Sequence, residues 1–201
     1  MRGMMNNKLQ LARNILNSFF YSLIYFLKNG LKNRAGARSY DYFQADRRYP
    51  DYLKHGAALE AVKPLALKYC QGVGIDVGAS RWPLDGARGI DNGDEENAYS
   101  IREEDASLDF VFSSHTLEHL KDPEAALDEW IGKLKKGGVL FLYLPHPSCE
   151  MWKPDVLPFH EWSPDPVFME SLLTDRYGME TLYITYLPDA YFSFAVVARK
   201  R

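Results

Sequence analysis

The chain has 201 residues, 46% of them hydrophobic and 14% aromatic, enough for one buried core with or without an appended arm. Its two cysteines, Cys70 and Cys149, exclude a disulfide framework and fit a reducing, cytoplasmic setting; neither sits in a CxxC pair, so both read as small buried hydrophobes. The net charge of -3 divides unevenly, because residues 1–40 hold seven basic groups and no acid while the other 161 residues carry -10, a balance that argues against nucleic acid as a partner of the body.

Chain order begins with a basic arm. From Ile15 to Leu27 apolar residues fall at 15, 16, 19, 20, 23, 24 and 27, the spacing of one helical face. At about 1.5 Å per residue the run reaches only about 20 Å, short of the roughly 30 Å hydrocarbon core of a bilayer. Ala35-Gly36-Ala37 resembles a signal cleavage site, but Lys28, Lys32 and Arg34 crowd the region after the apolar run, where export signals are uncharged. Residues 1–38 are therefore expected to form a basic amphipathic arm. Its helix over 15–27 would lie against the inner face of a membrane, or pack on the body or on a second copy in a homodimer.

Residues 39–201 are expected to form the second unit. An aromatic, Arg-rich segment runs from Ser39 to Tyr52, and a helix is predicted over Tyr52–Tyr69 with Leu59, Val62, Leu65, Ala66 and Tyr69 inward and Pro64 as a kink. From Gly72 onward short apolar runs alternate with helices. The predicted strands are Val73–Val77, Arg88–Ile90, Phe110–Ser113, Val139–Leu144, Thr181–Tyr186 and Phe192–Ala198. Helices are predicted at Pro123–Leu134, with Asp122 as N-cap and Gly137-Gly138 beyond its end, and at Asp165–Tyr177. This alternation is the signature of an α/β sheet.

Three stretches carry the chemistry. In GVGIDVGAS a hydrophobic strand runs directly into Asp76, Gly78, Ala79 and Ser80, small residues that let a ligand approach backbone amides. A tight turn after a strand would need the same residues. The next strand, Arg88-Gly89-Ile90, ends in Asp91, placed to accept both hydroxyls of a ribose or to serve as a turn residue. Third comes NAYSIREEDASLDFVFSSHTLEHL, from Asn97 to Leu120.

Taken in order, these stretches closely resemble the class I S-adenosylmethionine-dependent methyltransferases, in the subgroup with a type 11 methyltransferase domain. Asn97-Ala98 stands at the adenine position of that pattern, Ser107-Leu108-Asp109 stands for its "SFD", and Thr116-Leu117-Glu118-His119-Leu120 for its "xxLEHL". Asp122 to Leu127, Leu134 to Leu140 and His160-Glu161-Trp162-Ser163-Pro164 continue the series, which covers roughly Gly72 to Arg199. The resemblance implies a Rossmann-like α/β fold, a mostly parallel sheet whose last strand is antiparallel, and S-adenosylmethionine as cofactor. It also implies roles: Asp76, Gly78, Ala79 and Ser80 around the methionine end, Asp91 on the ribose, Asn97 and the Ala98 amide on the adenine, and backbone near Ser113 and Ser114 on the amino group. The cofactor-binding core would span 72–145.

The sequence departs from the family twice. The usual Gly-x-Gly-x-Gly loop keeps only Gly78, and so few residues separate Val77 from Asp91 and Asp91 from Asn97 that the left half of the sheet must be abbreviated. Loss of two glycines leaves open a rival reading, a non-catalytic binding or scaffold protein on this fold. His115-Thr116-Leu117-Glu118-His119 also spells H-x-x-E-H, a zinc-peptidase pattern, but a strand end at His115 separates its ring from His119. Gly72-Val73-Gly74 precedes or starts its strand rather than following it, against a dinucleotide fingerprint. Methyl transfer demands no metal, and none is expected. His115, after the strand Phe110–Ser113, is the first candidate base and His146, after Val139–Leu144, the second. Residues 145–166, with six of the eleven prolines, are expected to form a semi-rigid loop over an acceptor that is a small molecule, a sugar or a lipid-linked group.

Overall fold

The computed structural model describes residues 58–201 apart from Arg81, Asp94, Glu150, Met151 and 156–158. The arm 1–38, with its helix 15–27, and the aromatic segment 39–52 lie outside the described residues.

Six strands form one sheet: β1 (Gly74–Val77), β2 (Ala87–Ile90), β3 (Leu108–Ser114), β4 (Leu134–Pro145), β5 (Glu180–Ile184) and β6 (Ser193–Arg199). Their spatial order is β2-β1-β3-β4-β6-β5. The first four are parallel, while β6 runs antiparallel to both neighbours. A largely parallel sheet is covered by helices on both faces, and three do so among the described residues. Helix α1 (Ala58–Tyr69) covers one face; α2 (Pro123–Lys133) and α3 (Pro166–Ser171), which continues as a π-helical turn over Leu172–Arg176, cover the other.

Strand periodicity decides which side chain meets which helix. In β4, Leu140, Leu142 and Leu144 pack with Trp130 and Leu127 of α2, whereas Phe141 and Tyr143 turn to the α1 layer with Leu59, Val62 and Ala66. β6 repeats the alternation, Phe194, Val196 and Ala198 on one side and Ala195 and Val197 on the other. Both cysteines are buried. Among the described residues no helix is long and apolar enough to cross a membrane.

Asp122 caps α2 by accepting from the Ala125 amide at 3.0 Å, with Pro123 first in the helix. Asp165 caps α3 in the same way through the Val167 and Phe168 amides, so it precedes the helix rather than opening it. A larger difference lies at Gly137-Gly138, expected just beyond the helix end and before a strand starting at Val139. The strand β4 begins at Leu134, which pairs with Leu108 before a bulge. The Gly137 amide donates to Lys200 O at 2.8 Å and the Lys200 amide returns to Gly138 O at 2.9 Å, so β6 recruits the glycines into the ladder.

The left side of the sheet is short, as the spacing requires. β2 is the edge strand, and the described residues between β1 and β2 and between β2 and β3 form no helix. One isolated bridge, Asn97 to Ser100, is the only pairing among the described residues of the second connection.

Candidate active site

The chain leaves β1 toward β2 on one side and returns to β3 on the other, which makes the β1–β3 junction the switch point where α/β sheets bind ligands. Register aligns Val77 with Ile90 and with Ser113, and Ser114 with Tyr143. Gly78, Asp91, Ser114 and His115 therefore emerge at one rim. Of the expected residues, His146 emerges beside them after β4, and Asn97-Ala98 arrives from the loop beyond β2.

The turn after β1 is closed against the end of β2: the Gly78 and Ala79 amides donate to Ile90 O at 2.8 and 3.1 Å. Gly78 has φ +83°, and a Cβ there would lie within 3.0 Å of the Thr116 side chain. Only glycine fits both demands. Ser80 stands where the family has glycine, yet its φ is +47°, so the glycine-like backbone of the loop survives the substitution.

Asp76 is buried, and its Oδ2 accepts from the Leu84 amide at 2.8 Å. Burial pushes its carboxyl up to about 7, with the Leu84 bond opposing part of that rise. Burial, then the charge of Asp76, raises the neighbouring Cys70 thiol well above its ordinary range.

Asp91 is exposed at the end of β2, where its Oδ1 accepts from the Asn92 amide at 2.9 Å. The following loop is held from both sides. Arg88 of β2 grips Glu96 with two hydrogen bonds of 2.7 and 2.6 Å and Glu103 with two more of 2.7 and 2.6 Å. On the helix side Trp130 Nε1 donates to Ala98 O at 2.7 Å, and Glu129 accepts the Ile101 amide at 2.8 Å. Asn97 Oδ1 accepts the Tyr99 amide at 2.9 Å, closing the turn. These side chains replace the missing secondary structure.

Ser113 is fully buried, its hydroxyl donating to Val77 O at 2.9 Å across the switch point. Ser114 Oγ is buried without a hydrogen-bond partner, a polar atom left for a ligand. With Gly78, Asp76 and Asp91 it makes a rim that fits a nucleoside carrying an amino-acid tail.

His115 has φ +50° and sits edge-on between the rings of Tyr143 and Trp152, at centroid distances of 5.3 and 4.8 Å. Its Nδ1 lies 3.2 Å from Glu118 Oε1, and its Nε2 2.9 Å from Ser193 Oγ. Ser193, His115 and Glu118 thus line up like a nucleophilic triad. Ser193 is wholly buried, however, and its hydroxyl also reaches Tyr191 O at 3.2 Å, which suits an orienting partner rather than a nucleophile.

His146 differs. Its Nδ1 accepts the Ser148 amide at 3.1 Å and its Nε2 donates to Tyr186 O at 3.1 Å. Burial lowers its pKa, against smaller opposing effects from Tyr186 and two aspartates. Sequence reasoning passed over Glu118, Thr116 and Ser193. A fully buried carboxylate in the 3-10 turn Leu117–His119 was written in the HTLEH string, whereas Ser193 is 78 residues from its partner and gave no local signal.

A six-stranded sheet of this order, with β6 antiparallel, is the Rossmann-like fold of the methyltransferases on which the chain superposes. Residues 55–142 match the family described as Methyltransferase domain. A methyltransferase from Thermotoga maritima superposes with a TM-score of 0.57 at 19% identity, covering 81% of this chain and 99% of that one. For one from Archaeoglobus fulgidus the values are 0.55, 16%, 77% and 100%, and for one from Methanosarcina mazei 0.53, 18%, 68% and 97%. No curated protein matches the chain.

Proposed function

We propose that the chain is a class I S-adenosylmethionine-dependent methyltransferase that acts on a small-molecule, sugar or lipid-linked acceptor, and that His115 takes the proton the acceptor gives up. The placement of His115 carries the reading: it follows β3 at the switch point, with Glu118 on Nδ1 and aromatic rings on both sides. The -10 charge of residues 41–201 supports a non-nucleic-acid acceptor.

When bound, the cofactor supplies an electrophilic methyl group, so the protein's work is to position, dry and deprotonate. Asp91 would hold the ribose, Asn97 and the Ala98 amide the adenine, and the 76–80 turn with Ser113 and Ser114 the amino-acid end. The acceptor's O–H or N–H takes the place of Ser193 at His115 Nε2, while the serine keeps its bond to Tyr191 O. Glu118 then steadies the charged ring. The described residues of 145–166 would form the roof, where His146, Cys149, Trp152 and Ser163 line a small crevice. His146, with both ring nitrogens engaged, is assigned to shaping that roof.

Calorimetry with S-adenosylmethionine on the full chain tests the reading. Micromolar-range binding that Asp91→Ala weakens strongly is expected. An absence of binding would favour the scaffold alternative. Liposome co-sedimentation of the full chain against one starting at Ser39 tests whether helix 15–27 lies on a membrane.

A further inference from the structure

Glu118 is fully buried, and neither carboxylate oxygen completes a hydrogen bond. Burying a carboxylate costs several kcal/mol unless it is paired and its lone pairs are satisfied. Its neighbours answer only part of that need. His115 Nδ1 approaches Oε1 at 3.2 Å, and His119 Nε2 stands 3.9 Å from the same oxygen. Both oxygens are left with spare lone pairs.

Two histidines converge on it with the same preparation. His119 Nδ1 bonds to Phe159 O at 2.8 Å, and His160 Nδ1 to Trp152 O at 2.7 Å. Carbonyls only accept, so both Nδ1 atoms carry the proton and both Nε2 atoms present lone pairs. A backbone carbonyl on the far nitrogen is the usual support of a metal-ligating imidazole. The rings stand 4.7 Å apart and nearly perpendicular.

From these observations we infer a divalent transition-metal site, of the zinc class, held by Glu118, His119 and His160. One donor atom from each residue lies within 4.8 Å of the others. Tetrahedral zinc with bonds near 2.1 Å needs donors about 3.4 Å apart, so closure requires movements of about an ångström, which the half-exposed His119 side chain can make. Three protein ligands leave a fourth position for water. The H-x-x-E-H string is thus used differently from its peptidase pattern. The second histidine comes from residue 160, and His115 stays outside as a donor to the metal-bound carboxylate.

The ion joins two segments that already touch. The Glu161 amide donates to Glu118 O at 2.8 Å, and Trp162 Nε1 to Leu117 O at 3.0 Å. Metal would fasten the roof loop to the 3-10 turn that orients His115, a structural rather than a chemical role.

The test is metal binding itself, independent of any methyl acceptor. The full chain, stripped with chelator, is titrated with Zn(II) and separately with Co(II). One ion per chain, a visible Co(II) absorption band and a zinc-dependent rise in Tm are expected. His119→Ala alters only an exposed side chain, and should weaken Zn(II) binding at least about 100-fold while the stripped protein keeps its circular dichroism. Glu118→Gln should do the same where it folds. Failure to retain Zn(II), or equal affinity in wild type and His119→Ala, would overturn the site.

Discussion

Gly78 and the Thr116 side chain approach so closely that a Cβ on the glycine would lie within 3.0 Å of the threonine. Thr116 Oγ1 is held there by the Val77 carbonyl at 3.1 Å, so neither side can give way without opening the β1 end. Gly78→Ala combines this clash with a φ of +83°. It is expected to cost about 2–4 kcal/mol in urea denaturation, from overpacking and left-handed strain together. Cofactor affinity should fall at least tenfold, roughly 1.4 kcal/mol.

Ser80 is the opposite case. It carries a side chain at φ +47°, where glycine would be unstrained. Ser80→Gly is expected to raise stability by about 1 kcal/mol and Tm by about 2–4 °C, with cofactor affinity retained or improved. A fall in both quantities would show that the serine hydroxyl contributes something the backbone does not.

The two glycine-loop positions also show what the sequence could disclose. Motif order identified the loop, but the loss of glycines read as erosion; only the backbone angle at Ser80 reveals that the turn is kept. Strands β4 and β6 were legible because Leu and Phe alternate against two helical layers. The start of β4 was not, since Gly137-Gly138 reads as a turn until Lys200, more than sixty residues on, pairs with it. Lys200 Nζ also reaches Ile131 O and Leu134 O, each at 2.8 Å, capping the end of α2 from a distance. The convergence of His160 on Glu118 is invisible for the same reason: nothing in local periodicity ties a proline-rich loop to a 3-10 turn.

Arg88 holds Glu96 and Glu103 at once, and the segment between them contains Asn97 and Ala98. Its guanidinium is half exposed, so its contribution to global stability is small. Its effect should appear in binding. Arg88→Ala is expected to weaken S-adenosylmethionine about tenfold by calorimetry, with turnover at saturating cofactor within about twofold of wild type. An equal loss in turnover would place Arg88 in the chemistry and not in loop order.

Asp76 gives a pH dependence with a definite sign. Its folded pKa of about 7 lies above the ordinary 3.8 because the carboxyl is buried, so the folded state holds this proton more tightly than the unfolded chain. The stability it contributes is full below about pH 4 and is lost as pH rises through about 7. Asp76→Asn keeps an oxygen for the Leu84 amide and should flatten that slope. Binding runs the other way, since a cationic sulfonium and ammonium favour the ionised carboxylate. If only ionised Asp76 binds well, affinity for S-adenosylmethionine should rise about tenfold between pH 6 and 8. The same titration on Asp76→Asn should lose the rise. A rise that persists in the variant would move the titrating group elsewhere and leave Asp76 as a structural anchor of the β1–β2 turn.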